Sequence, residues 1–384
     1  MNWFHALATF LPSWLILLVP VSGFLMTGEP LAGEIKPGWK AEWANILQAA
    51  KKEGQVTVYT GGTAAGGVAT FRAAYPDIKL VIASGRGELV QRALLERRAG
   101  KYLADVSING ITGNYRILHK AKSFDPIGPA LMLPEVTDES KWWQQSHRYV
   151  DSSRKYVFIF QGSPEKGSID YNTKLVDPKG FKSFWDFVHP RWKGKIVVKD
   201  PRLPGSGSDP MRFYYHSPEL GPEFIKKLFG DMEVTLVASE RLGMDWLASS
   251  KFAICFFCGS GEVIAAKRQG LPVDEFGFMK EGASLVARGG TLALMNNAPH
   301  PNAAKVFINW LLSREGQLAF LKGSMRETGG TWDSLRVDIP RDDVAPQYRR
   351  TEGIKYLEID VAERLDWEPI ASVIKEALAR TGRK

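Results

Sequence analysis

The stretch Gln55-Val56-Thr57-Val58-Tyr59-Thr60-Gly61-Gly62-Thr63 decides the fold class. A β-branched apolar run ends in a glycine turn, and Ala64–Ala74 then carries helical spacing as far as Tyr75-Pro76. The same unit follows again. Ile78–Ala83 reads as a second strand, Ser84-Gly85-Arg86-Gly87 as its turn, and Glu88–Ala99 as a helix closed by Gly100. A third strand, Ala104–Ile108, runs into Asn109-Gly110 and a helix around Tyr115–Ala121. Strands alternating with helices through short connections predict a mostly parallel sheet with helices on both faces. Such sheets take ligands beyond the carboxyl ends of their strands, where this chain carries Thr60, Gly61, Thr63, Ser84, Arg86 and Asn109. Glycine at those ends lets backbone N–H groups approach a solute, and a helix start behind them adds partial positive charge.

Upstream, Trp39–Glu53 reads as an amphipathic helix stopped by Gly54. Downstream, a second alternating set begins after the proline-rich loop Phe124–Pro134. Its strands are Tyr156–Phe160, Ser168–Tyr171, Lys195–Lys199 and Phe252–Phe257. Between and after them lie a short helix at Phe184–Val188 and longer ones at Pro210–His216, Pro222–Leu228, Glu240–Ala248 and Glu262–Gln269. Extended segments Ala283–Ala287 and Thr291–Met295 precede helices at Asn302–Leu312 and Glu315–Leu321, and a last helix covers about Ile370–Arg380. No repeat of solenoid period is present.

At 384 residues, with 44% apolar and 24% charged, the chain has room for two domains of ordinary globular composition. The net charge of +8 is spread over isolated pairs such as Lys51-Lys52, Arg97-Arg98, Lys226-Lys227 and Arg349-Arg350. Without a basic block, this reads as a solvated surface with a mild pull on anionic solutes, and no nucleic-acid partner is expected. Leu11–Met26 is an apolar stretch broken by Pro12 and Pro20, with small residues at Gly23, Ala32 and Gly33. It has the length of a signal-peptide core, so export to the periplasm is expected, with cleavage after Gly23 or near Gly33. Only His5 and the terminal amine supply positive charge before it, which keeps an uncleaved N-terminal anchor open.

The two cysteines form Cys255-Phe256-Phe257-Cys258, the first of them inside a strand. Buried thiols, a structural disulfide, and redox work as a CxxC oxidoreductase all remain open from spacing alone. A second CxxC or a His pair at ligand spacing is missing, so no metal site is read here. Nor does the chain contain G-x-S-x-G, H-E-x-x-H or a phosphate-cradling G-x-x-x-x-G-K-[ST]. The expectation is a binding protein, not an enzyme, with no cofactor. Further candidate contacts are Ser206 and Ser208 in the loop Pro204–Ser208, Ser260 in Cys258-Gly259-Ser260-Gly261, and Arg288 in Ala287-Arg288-Gly289-Gly290. Tyr171 is placed by the same strand-end logic. Arg86 and Arg288 are the two guanidinium groups able to fork a carboxylate or phosphonate.

Three segments together resemble the periplasmic solute-binding proteins of ABC importers. Lys51-Lys52-Glu53-Gly54-Gln55-Val56-Thr57-Val58-Tyr59 is similar to that family's opening helix-to-strand. Phe184-Trp185-Asp186-Phe187 with His189-Pro190-Arg191-Trp192-Lys193-Gly194-Lys195-Ile196 resembles its W-x-D-L-x-x-P-x-W-K-G-K-I segment, and Ala303–Ser313 followed by Glu315-Gly316-Gln317 its late helix pair. The resemblance, from about Lys51 to Gly330, implies a monomer with a two-lobed type II periplasmic-binding fold, hinged by crossing strands. Such a protein would capture a small polar, anionic solute between the lobes and pass it to a membrane permease. A sensory protein feeding a membrane kinase would have the same fold. It also implies a division into residues 34–150 with 275–330 as one lobe and 151–274 with 331–384 as the other. The branch looks like the iron(III)-binding one, but Thr63 stands where that branch has a His, and Asn109-Gly110 where it has a Glu. Cys258-Gly259-Ser260-Gly261 replaces its adjacent Tyr pair. A ferric ion needs anionic oxygen donors that these residues do not supply, and Tyr214-Tyr215-His216 reads as helix packing instead.

Overall fold

The computed structural model describes residues 38–85, 87–203 and 206–382. The expected signal peptide, Arg86, and Pro204-Gly205 lie outside the described residues. Helix Trp39–Glu53 ends as its sequence dictates, with Gly54 at φ 71° and its N–H returned to the Ala50 carbonyl. Among the described residues the strands form three sheets. The first is ordered Lys79–Gly85, Gln55–Gly61, Val106–Asn109, Thr291–Met295, Phe158–Ile159, Arg148–Tyr149, with Phe124–Asp125 also pairing to Thr291–Met295. Its first three strands run parallel, in the register Thr60 to Ser84 and Thr60 to Ile108. Their carboxyl ends therefore form one edge. Thr291–Met295 enters antiparallel beside Val106–Asn109, a return from late in the chain.

Two buried side chains tie that late return to the early strands. The Asp105 carboxylate accepts from the Thr57 N–H at 2.7 Å, the His300 N–H at 2.8 Å, and His300 Nδ1 at 2.9 Å. It thus joins the first strand to the start of helix Pro301–Leu312. From inside the same helix, Asn309 accepts from the Met132 and Leu133 N–H groups at 2.8 and 3.0 Å and donates to the Ala130 carbonyl at 2.7 Å. A loop that would otherwise bury unpaired backbone is thereby satisfied.

The second sheet has the order Thr235–Val237, Ile196–Lys199, Ile254–Phe256, Ile169–Asn172, Val273–Glu275. Phe184–Val188 is a 3-10 turn held by a reciprocal Ser183 and Asp186 capping box. It drives Phe184 and Phe187 into an aromatic cluster with Phe213, Tyr214, Phe224, Phe256 and Phe276. Packing of this kind is where most of the lobe's stability comes from. The third sheet joins Tyr356–Glu358, Ala283–Val286 and Ser163–Glu165, the three crossings between lobes. Both crossings and tail move the expected lobe boundaries. Phe158–Ile159 still pairs in the first sheet, so the first crossing comes at Ser163–Glu165 and not at 151. Val273–Glu275 belongs to the second sheet, and the return falls at Ala283–Val286. Trp332, Leu335 and Ile339 are buried in the first lobe's core, whereas Ile370, Ile374, Ala377 and Leu378 join the second. Hydrophobic periodicity marked the elements but carried no record of which core each apolar face joins.

Cys255 and Cys258 are bonded to each other and buried. The helix Glu240–Ala248 lies against the bond through Gly243, where a β-carbon would meet Cys258 Sγ at 2.5 Å and Cys255 Sγ at 3.3 Å. Ala is the better helix former by about 1 kcal/mol, but the overlap costs about 1–3 kcal/mol. Gly243→Ala is therefore expected to lower the unfolding free energy in urea. A midpoint at or above that of the parent protein would show that the sulfurs yield.

Candidate functional site

The turn Ala287-Arg288-Gly289-Gly290 is where the second crossing strand re-enters the first lobe. It is closed by the Gly290 N–H donating to the Ala287 carbonyl at 2.7 Å, and that carbonyl also accepts from Gln161 Nε2 at 2.7 Å. Arg288 sits at φ 50°, a conformation that favours glycine and costs an arginine about 1–2 kcal/mol. Its guanidinium is exposed, lies 5.2 Å from the Tyr348 ring centroid, and joins no ion pair among the described residues. The backbone here is tightly surrounded. A side chain at Gly110 would start 3.1 Å from the Arg288 carbonyl, and one at Gly289 3.4 Å from the Trp332 ring and 3.7 Å from Thr63 Oγ1.

What holds this turn comes from the second lobe and the tail. Asp360 accepts the Ala287 N–H at 2.7 Å through one oxygen and an Arg212 Nη2 donor at 3.1 Å through the other. Arg212 also donates to the Ile359 carbonyl at 2.6 Å and to Asp209 at 2.6 Å. Burial works against the Arg212 charge, but Asp360 and Asp209 outweigh it and raise its pKa. Burial is likewise the first cause of the raised Asp360 pKa, with Arg212 opposing it. The three groups are mutually compensated, which is the condition for buried charge to persist.

Two cavities meet at Arg288. The larger, about 340 Å³, takes Gly110 and Thr112 from the first lobe, Ser208 and Arg212 from the second, and Asp360 and Trp367 from the tail. Helices Thr112–His119 and Ser208–His216 both begin at its wall, so their dipoles favour negative charge inside, part of which Asp209, paired with Arg212, already supplies. Arg116, in the first of these helices, also lines it and donates to the Leu365 carbonyl at 2.7 Å. The smaller, about 90 Å³, is bounded by Glu165, Asp170, Ser260, Glu275 and Tyr348 as well as Arg288. Protein surrounds the Glu165 carboxylate, and that burial, aided by the negative charge of Asp209 and opposed by Arg288, pushes its pKa up to about 7.

Of the residues singled out from sequence, Arg288 and Ser208 line the larger cavity, and Arg288 and Ser260 the smaller. Thr63 reaches the hinge turn from the first lobe. Thr60, Gly61 and Ser84 lie side by side at the strand ends without lining either cavity. The Asn109 side chain donates to Ser107 Oγ at 2.9 Å, and the Asn109 backbone carbonyl accepts from the Thr291 hydroxyl at 2.6 Å. Ser206 is likewise engaged within the second lobe, its hydroxyl on the Phe257 carbonyl at 2.6 Å and its N–H on Glu240 at 2.8 Å. Tyr171 is corrected to a core residue: it packs on Phe276 at a centroid distance of 4.5 Å, because the strand's alternation turns it to the buried face. Tyr214 is buried too, its hydroxyl donating to the Gly167 carbonyl at 2.6 Å.

Missed from sequence were Arg116, Asp209, Arg212, Asp360 and Glu165. Gly110 before a helix start was a legible cue for Thr112 and Arg116. Nothing local marks Asp360, whose role depends on a tail returning from far along the chain.

Residues 55–318 match the model of the bacterial extracellular solute-binding protein family. No curated protein matches the chain. Among solved structures it is similar to apo FutA2 from Synechocystis PCC6803, at 14% identity and TM-score 0.58, covering 84% of this chain and 98% of that one. A Trichodesmium IdiA (FutA) structure with iron and citrate ligands gives 18% and 0.57, over 86% of this chain and 100% of that one. A putative extracellular solute-binding protein from Bordetella parapertussis gives 15% and 0.57, over 86% and 99%. At such identities these likenesses establish the fold, a type II periplasmic-binding architecture. With the family match spanning most of the chain, the protein belongs to the bacterial extracellular solute-binding proteins, the periplasmic binding components of ABC transporters.

Proposed function

We propose that this protein captures a small anionic solute, bearing a carboxylate or phosphonate, between its lobes and delivers it to a membrane permease. It acts outside the cytoplasmic membrane after export, as a monomer, and returns the solute chemically unchanged. The observation that carries this reading is Arg288: an exposed guanidinium without an acidic partner among the described residues, kept in a strained conformation at the point where both lobes meet. Strain at a cleft residue is retained where its position matters. Two helix starts and Arg116 add to the same sign of potential. Closure follows from contacts on both lobes, since a solute touching both shifts the population toward the form that holds it.

Ferric iron is a poorer fit than an organic anion. Cys258, at the position of the iron-binding branch's Tyr pair, is committed to its bond with Cys255, and the Tyr214 hydroxyl is used in the core. The bonded pair is also buried, so redox exchange with a partner protein is not the favoured reading.

Arg288→Gly tests the clamp with little risk to the fold, because glycine relieves the positive φ. The variant is expected to keep its melting temperature while binding of the anionic ligand, found by a thermal-shift screen of carboxylates and phosphonates, weakens by about 1–3 kcal/mol in calorimetry. Unchanged affinity would reject Arg288 as the anion contact. Small-angle scattering provides a separate check on closure: the radius of gyration is expected to fall when that ligand is added, and identical curves would count against capture between the lobes.

A further inference from the structure

The smaller cavity is richer in acidic than in basic side chains, the reverse of the larger one. It is bounded by Glu165, Asp170 and Glu275, against which stand Lys166 and Arg288. Lys166 is drawn to Glu275 at 3.9 Å. Glu165 and Asp170 join no ion pair among the described residues. Asp170 is the stranger of the two. It is only 4% exposed, and its Oδ2 has no hydrogen-bond partner. It sits one strand in from the edge of the second sheet, opposite Cys255 on one side and Glu275 on the other, so another acid is its cross-strand neighbour. Ionising a buried carboxyl group beside another carboxylate is costly in the empty protein. Burial first, then Glu275 and Asp274, hold its pKa well above the carboxylate range. A fold with nothing to gain from Asp170 would do better with Asn or Val there.

From this juxtaposition we infer that the solute carries an ammonium group as well as its acidic one, the ammonium being received by Asp170 and Glu165 while the acid faces Arg288 and the two helix starts. The ligand class is a short aminocarboxylate or aminophosphonate. This rests on the anion-receptor reading above and deepens it. Arg288 borders both cavities, so the two charge fields are adjacent, as the two ends of one small zwitterion require. The volume of about 90 Å³ accommodates a primary ammonium, given that a water occupies about 30 Å³ in the liquid. A divalent cation is the poorer occupant, since no group of His, Cys, Asp and Glu among the described residues is arranged to hold a metal ion.

The test compares probe pairs that differ only in the amine: γ-aminobutyrate with butyrate, and 3-aminopropylphosphonate with propylphosphonate, by calorimetry on the intact protein. The amino member of at least one pair is expected to bind about tenfold or more tightly than its partner, the scale of one charged hydrogen bond. Asp170→Asn should narrow that ratio to within about threefold by weakening the amino member, while the ligand-free melting temperature stays close to that of the parent protein, because the raised pKa keeps the empty site's Asp170 protonated. Glu165→Gln provides the same comparison should the first variant not fold. Equal binding of both members, or a ratio untouched by both substitutions, would overturn the ammonium site and leave the anion receptor standing. Binding of neither member would overturn both. A melting temperature raised by magnesium or calcium alone, and lost in Asp170→Asn, would assign the cavity to a metal and overturn the inference.

Discussion

Asp360 is the constraint on which the cleft depends. Its two oxygens serve different parts of the molecule, one the Ala287 N–H in the hinge turn and the other Arg212 in the second lobe. Because the carboxylate is buried and its charge is compensated there, neither partner can leave without exposing an unpaired group. The turn that presents Arg288 is thus fastened from below. The strain at Arg288 is carried by this anchoring together with the crowded glycines around it, Gly110, Gly289 and Gly290, at which added side chains would meet neighbouring atoms.

The two lobes contribute to the cleft in different ways. In the first, the parallel strand ends are knit together by Ser107, Asn109, Asn114 and Thr291, a buried network that fixes the floor but leaves few of its own polar groups free. In the second, the sheet itself reaches the smaller cavity. Asp170 lies in a strand, and Ser260 opens a helix next to the turn made by Phe257 at φ 64° and Gly259 at φ 83°. The buried Cys255–Cys258 bond closes that turn from inside. A covalent clip at the root of a cavity-facing turn restricts its motion where both neighbours of Cys258 already occupy unusual backbone conformations.

Much of the architecture was readable along the chain. Trp39–Glu53 and Glu240–Ala248 fall where their spacing placed them, and the starts and stops come from Gly54 and from Ser239 capping its helix. Short strands such as Thr235–Val237 and Tyr356–Glu358 went unread, since three residues carry no period of their own. Arg288, Ser208 and Ser260, each beside a glycine turn in the sequence, line the two cavities. Tyr171 and Ser206 were read toward the ligand and turned inward instead, because which face a strand or turn buries is decided by the neighbouring element.

The sequence by itself determined the alternating strands and helices, the family, and the glycine turns that place backbone at a cleft, because these depend on residues close together in the chain. Tertiary structure alone decided the charges of the cleft. Arg116, Arg212, Arg288, Glu165, Asp170 and Asp360 come from separate segments, and their meaning depends on which of them pair and which stay unpaired. Coulomb energy and desolvation act through space, over a few ångströms and in a low-dielectric interior, so no local pattern records them.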